Sequence, residues 1–153
     1  MKSILLLEQA LAEYSKILEI HPSSSQAAFQ SGLVLEKLKR PAEALANYRT
    51  ALSLRPDSVP ALNNLAWLLA TSSDPAIADP QDALRLATHA ANLTEFKQAP
   101  ILDTLATAQF AAGMRDAAIA TLQRAIPLAN ASGQAAFAKE LEDKLLDYQG
   151  NQN

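Results

Sequence analysis

Residues 27–56, AAFQSGLVLEKLKRPAEALANYRTALSLRP, hold the pattern that decides the fold. Gly32, Ala44 and Ala51 are small residues on two helix-forming runs, and Tyr48 is a large one beside them. Two helices cross closely only where small side chains meet, and a bulky ring then fills the adjoining gap. Pro56 cannot continue a helix and ends the second run. The same order recurs upstream, where Ala10, Tyr14 and Pro22 precede Ala44, Tyr48 and Pro56 by 34 positions each. Further along, Gly32, Ala66 and Ala106 form one small-residue column, with Ser31, Leu65 and Leu105 in front of them. A second column reads Ala10, Ala44, Ala83, Ala118, and seven residues later come Ile17, Ala51, Ala90 and Ala125. A period of this length means that one supersecondary unit is repeated and that neighbouring copies bury each other's apolar faces.

Composition agrees with helices. The chain of 153 residues has 31 Ala and 25 Leu against 2 Val, which favours helix over pleated strand. Apolar spacing predicts helices at 3–20, 25–39, 41–54, 58–71, 80–94, 99–112, 115–129 and 133–149. Leu62, Leu65, Ala66 and Leu69 make one stripe, and Phe137, Leu141, Leu145 and Tyr148 make another. Asp79-Pro80 reads as a capping residue followed by Pro in the first turn, and Pro41 starts its helix similarly.

These residues resemble the tetratricopeptide repeat, W-x2-L-G-x2-Y…A-x3-F…P. Gly32, Leu35, Ala44, Tyr48, Ala51 and Pro56 match it best, while Ala87 replaces the large aromatic of the third copy, and Glu95 and Asn130 replace its prolines further on. The resemblance implies an all-α, right-handed superhelical solenoid of antiparallel hairpins. Its expected parts are the second helix of a truncated repeat at 3–22, repeats at 25–56, 58–95 and 99–130, an insertion at 72–79, and a capping helix at 133–149. The cap should carry Lys139, Glu140, Glu142, Asp143, Lys144 and Asp147 on its outer side. The run around Asn63-Asn64-Leu65-Ala66-Trp67 and the Asp-Pro insertion resemble the C-terminal repeat segment of larger bacterial tetratricopeptide proteins, so the chain reads as part of a longer one.

No catalytic constellation emerges. Gly occurs only at 32, 113, 133 and 150, which leaves no phosphate loop, and without Cys there is neither a thiol nucleophile nor a thiolate metal site. His21 beside Pro22 and His89 among Ala residues read as surface or packing side chains. Asp74, Asp79 and Asp82 read as caps and loop solvation rather than as cation ligands. No cofactor or metal is expected. A net charge of −3 gives no attraction to nucleic acid, and Lys37, Lys39 and Arg40 lie together at a helix C-terminus, where cations complement the dipole. No stretch could insert in a membrane, and Met1–Leu7 lacks the length of a signal peptide. Absence of Cys fits the cytoplasm, and a periplasmic place is compatible with a membrane-anchored parent.

The resemblance makes this a non-catalytic scaffold whose partner, a protein or peptide, lies in the concave groove formed by the first helix of each hairpin. Groove positions are Gln26, Phe29, Gln30, Leu33 and Lys37, then Asn63, Asn64, Trp67 and Thr71, then Asp103, Thr104, Thr107 and Phe110. Asn64 and Trp67 are the leading pair, flanked by Phe29 and Phe110. An amide both donates and accepts to an extended backbone, and Trp is enriched at hot spots. Burial under the 72–79 insertion is the other reading of Trp67. Family members that bind acidic chaperone tails use a clamp of Lys, Arg and Asn; here Asn64 matches, but Phe29, Pro100 and Thr104 stand at the basic positions, so such tails lack a counter-charge. The alternative function is self-association. Helix 3–20 lacks its hairpin partner, which should uncover Leu6, Leu7, Ala10 and Tyr14 and allow a homodimer.

Overall fold

A computed structural model of the chain describes residues 2–150. Eight helices and no strand occur among the described residues: α1 (Lys2–Ile20), α2 (Ser25–Lys37), α3 (Pro41–Leu54), α4 (Val59–Thr71), α5 (Pro80–Leu93), α6 (Ala99–Ala111), α7 (Arg115–Ala131) and α8 (Ala135–Gly150). They stack as hairpins α2–α3, α4–α5 and α6–α7, with α1 packed before the first and α8 after the last. Each second helix also meets the first helix of the next hairpin, and α4 meets α6 side by side. This is the expected all-α superhelical solenoid.

The helix starts are chemically specified. Ser24 caps α2 by accepting from the Ala27 amide at 3.1 Å, and Asp79 caps α5 by accepting from the Asp82 amide at 3.1 Å. Pro41, Pro60, Pro80 and Pro100 stand in the first turns of α3, α4, α5 and α6, where a missing N–H costs nothing.

The helix ends follow two schemes. Pro22 and Pro56 follow α1 and α3, as the repeat demands. Where Glu95 and Asn130 stand in place of proline, a left-handed residue turns the chain instead. Glu95 (φ 54°) and Gly133 (φ 75°) take this conformation, as do Lys39 and Gly113 after α2 and α6. At each of these four ends an amide reaches back five residues, Arg40 to Leu35, Phe96 to Ala91, Met114 to Gln109 and Gln134 to Ala129, at 2.8–2.9 Å.

The small columns are the buried spine of the stack. Ala44, Ala83 and Ala118, and seven residues on Ala51, Ala90 and Ala125, have no solvent exposure. The equivalent residues of α1 behave otherwise, Ala10 being half-buried and Ile17 40% exposed, because no hairpin partner covers that face among the described residues. Gly32 is where the approach is tightest: a Cβ there would stand 2.5 Å from Tyr48 Cε1. Tyr48 is itself fully buried, and its ring lies 5.8 Å from that of Phe29 at a tilted angle. The Tyr48 hydroxyl donates to the Glu36 carboxylate. Burial first, and Glu36 second, push the Tyr48 phenol well above the ordinary tyrosine range, while the nearby Asn64 amide opposes the rise.

One alternative falls away and one expectation needs correction. The 72–79 insertion does not bury Trp67. It contributes Ile77 to the core instead, and Trp67 stays 37% exposed. The insertion is a tied turn, with Asp74 accepting from the Ala76 amide at 2.9 Å and the Asp79 amide donating back to Leu69 at 3.0 Å. The correction concerns α8. Its apolar side, with Leu141 buried and Phe137, Leu145 and Tyr148 against the core, is as read. Lys144 is not on its outer side: the long stem carries the ammonium back to Asp103 of α6, 2.6 Å away.

Two measurements check this packing. Gly32→Ala should lose about 1–3 kcal/mol in urea unfolding, as overpacking of a tight core contact does, because the Tyr48 ring must move. Tyr48 gives an alkaline signature. Its folded pKa lies above the unfolded one, so its contribution to stability is fully present below the ordinary tyrosine range and is lost as the pH rises beyond it. Phenolate absorbance should therefore show a late-titrating ring that is absent from Tyr48→Phe, and the variant should be less sensitive to alkali than the wild type.

Candidate partner-binding groove

The first helices α2, α4 and α6 lie on one side of the stack and α8 takes the next place in the row. Together they enclose a cleft of about 310 Å³ lined by Glu36, Asn63, Asn64, Trp67, Pro100, Asp103, Thr104 and Phe137. Asn63, Asn64 and Trp67 come from successive turns of α4, where residues three and four apart share a face. Trp67 has one ring face near the Lys144 ammonium, 5.0 Å from the ring centroid.

The expected groove residues separate into two groups. Asn63, Asn64, Trp67 and Asp103 meet in the cleft, and Thr107 reaches its edge by accepting from Lys144 at 3.2 Å. The rest do not join them. Phe29 and Leu33 are partly buried and pack on the core. Gln30 is half-buried, and Thr71 is exposed with its hydroxyl donating to the Trp67 carbonyl at 2.7 Å. Phe110, expected as a flank of the groove, is covered: Tyr148 of α8 stacks on it with centroids 3.9 Å apart and planes 5° from parallel.

Glu36, Phe137 and Lys144 are the contributors that the sequence reading missed. Phe137 was findable. It lies 34 residues after Asp103, which follows Asn63 by 40, so the column Phe29, Asn63, Asp103, Phe137 runs through the first helices and into α8. Glu36 and Lys144 had no such signal, because a charged residue late in a helix reads as a solvated one.

The cleft is rich in acceptors. Glu36 and Asp103 supply carboxylates, and Asn63 Oδ1 is buried with no hydrogen-bond partner. Lys144 satisfies the Asp103 end; the two side chains are only 26% and 15% exposed. Thr104 is almost fully buried with its hydroxyl turned to the Pro100 carbonyl at 3.3 Å, and with Phe29 packed inward the basic clamp positions carry no cation.

A larger cavity, about 550 Å³, lies between the second helices α3 and α5 and is lined by Leu52, Pro56, Leu62 and Leu86 with Arg49, Arg85 and His89 at its polar edge. Its charges are already matched. Asp82 accepts from Arg49 at 3.0 Å and from Arg85 at 2.6 Å; burial alone would raise its carboxyl, but the two guanidiniums outweigh that and hold it below the usual range. His89 pairs with Asp57 at 2.8 Å. Asp74, Asp79 and Asp82 thus serve as turn, cap and ion-pair acceptors, and no group of three metal-ligating side chains occurs among the described residues.

Comparison with known proteins fits this geometry. Residues 25–58 match the family model of the tetratricopeptide repeat. No match was found among curated protein sequences. Among solved structures, MamA 41-end from Desulfovibrio magneticus RS-1 is similar with a TM-score of 0.71 and 17% identity over 96% of this chain and 88% of that one. YrrB, described as a TPR protein with an unusual peptide-binding site, has a TM-score of 0.68 at 22% identity, covering 99% of this chain and 82% of its own. TTC0263, a thermophilic TPR protein in Thermus thermophilus, has a TM-score of 0.62 at 19% identity over 95% and 84% of the two chains. At these identities the likeness is one of fold. Residues 25–58 thus match the tetratricopeptide repeat by sequence, and the chain as a whole shares the all-α superhelical fold of tetratricopeptide proteins.

Proposed function

We propose that the chain is a non-catalytic scaffold that holds a protein or peptide segment in the cleft on its first-helix face. The family is one of protein-interaction scaffolds, and one similar structure is described as carrying a peptide-binding site. The observation that carries the reading for this chain is Trp67. It is a large aromatic left 37% exposed in a concave site, beside an amide oxygen that has no partner. Buried aromatics in such pockets dominate binding energies, and unpaired polar atoms are normally satisfied.

The chain has a single Trp, so its fluorescence reports on the cleft directly. Partners captured from source-cell lysate by the wild type should be lost by Asn64→Ala/Trp67→Ala, with circular dichroism confirming that both are folded. A purified partner should shift the emission of Trp67, and Trp67→Ala alone should weaken its binding about 30-fold, the effect of a hot spot worth about 2 kcal/mol. Equal retention by wild type and double mutant would move binding out of the cleft.

A second reading has its own observation. α1 exposes Ile4, Leu5, Leu6, Ile17 and Ile20 by 58, 61, 64, 40 and 72%, while Leu7, Ala10 and Tyr14 are half-buried. Leu6, Ile17 and Ile20 share the side of α1 on which a hairpin partner would lie, next to Ala10. A second copy covering this face would give a two-fold dimer. Light scattering should then show a mass that doubles with concentration and stays monomeric in Leu6→Glu/Ile17→Glu. A concentration-independent monomer mass for the wild type would rule the dimer out.

A further inference from the structure

We propose that the cleft recognises a basic side chain, arginine or lysine, of the bound segment, and that Lys144 is an internal ligand occupying one end of the same site. This deepens the groove reading and rests on it. The argument begins with the lining. Glu36 and Asp103 are carboxylates, the Trp67 ring presents a negative face, and Asn63 Oδ1 is a buried acceptor left without a donor. The donors here are the two Asn amides and the Trp67 indole N–H, all neutral, whereas a segment that brings a cation finds carboxylates and an aromatic face.

Lys144 shows which chemistry the site accepts. Its ammonium is bound as a ligand would be, at 2.6 Å from Asp103, 3.2 Å from the Thr107 hydroxyl and 5.0 Å from the Trp67 centroid. It arrives from α8, 41 residues along the chain from Asp103, so the contact is tertiary rather than a helix-local pair. The Glu36 end differs. Among the described residues no cation lies within ion-pairing distance of Glu36, whose one described donor is the buried Tyr48 hydroxyl. A carboxylate has room for further donors. Glu36 and Asn63 both line the open volume of about 310 Å³ that Lys144 leaves beside Trp67.

A guanidinium matches that end well. It has five donors in a planar fork, enough for the Glu36 carboxylate and neighbouring cleft oxygens, and it stacks on indole faces. Pro100 and Phe137 supply apolar walls for the methylene stem. The net charge of −3 favours the approach of a basic partner as well. Lys144 then sets the selectivity. While it sits on Asp103 it neutralises that carboxylate and takes up part of the Trp67 face, so its removal should improve the site for a cation.

The test uses the full chain and blocked Gly-Ser peptides that differ only in their central residues: arginine, lysine, glutamate, or citrulline as the neutral isostere of arginine. Binding is read from Trp67 emission, with circular dichroism to confirm folding of every variant. The arginine peptide should bind more tightly than the citrulline and glutamate peptides, and added salt should weaken it. Lys144→Met should tighten it about tenfold, and Glu36→Gln, which keeps an acceptor for Tyr48, should weaken it about tenfold. Binding of the glutamate or citrulline peptide as tight as that of the arginine peptide would overturn the cation reading while leaving the groove in place. No response to any peptide, together with partner capture that ignores Trp67→Ala, would overturn both. Binding of the arginine peptide that is indifferent to Glu36→Gln and Lys144→Met would place the cation elsewhere and overturn the assignment.

Discussion

The contact of the Tyr48 ring with the bare backbone at Gly32 is the constraint on which the first hairpin depends. Any side chain at position 32 would enter the ring, as the 2.5 Å separation of its Cβ from Cε1 shows. The approach of α2 and α3 is therefore set by a missing methyl and a large ring. The next hairpins reach the same end differently. Ala66 and Ala106 carry a methyl at the equivalent position, and Ala87 supplies no ring, so α4–α5 fills its core with Leu62, Leu65, Leu69, Leu86 and the inserted Ile77. An array tolerates this variation because each interface needs only its own volumes to add up. Tyr48 also connects the core to the groove, since its hydroxyl holds Glu36 at the edge of the cleft.

Electrostatics matters here in few places. Lys16–Glu13, Lys139–Asp143 and Lys97–Glu95 are exposed pairs, and pairs of that kind add little to stability. Lys144–Asp103 differs in being mostly shielded and in having a hydroxyl and an indole face around the ammonium. Breaking such a shielded pair from one side leaves a charge without its counterpart, which costs more than an exposed pair contributes. Ser31 presents a smaller conflict. Its hydroxyl is buried and has no partner, where the later copies place Leu65 and Leu105.

The repeat was legible in the sequence because the packing is itself periodic. Ala44, Ala83 and Ala118 must all be small for one reason, and that reason recurs at each hairpin. Helix ends were legible for the same cause, through Pro22, Pro56, Asp79 and Gly133. The cleft was legible only in part. Asn63, Asn64, Trp67 and Asp103 could be placed by their register, and Tyr148 could be placed on the apolar side of α8, but the contacts that Lys144 and Tyr148 make could not be foreseen. Their partners Asp103 and Phe110 lie on another helix, and a lysine stem of four methylenes can lie along a helix toward either side. The stacking on Phe110 was hidden for a related reason. Register predicts which face a residue is on, and it does not predict that an added helix will stack a ring upon it.

Among the described residues α1 and α8 are covered unequally, and this bears on the groove. α8 covers the last hairpin with Leu141 and Ala138 while turning Lys139, Glu140, Glu142 and Asp143 to solvent, which is how a cap solvates a repeat array. The same helix sends Lys144 and Phe137 into the cleft and Tyr148 over Phe110. Cap and groove therefore share one element. Loosening of α8 would uncover Phe110 and release Asp103 and the Trp67 face, lengthening the groove at the expense of the last interface. Firm seating of α8 would do the reverse. Seating of α8 and exposure of the cleft are in this way opposed, and Lys144 takes part in both.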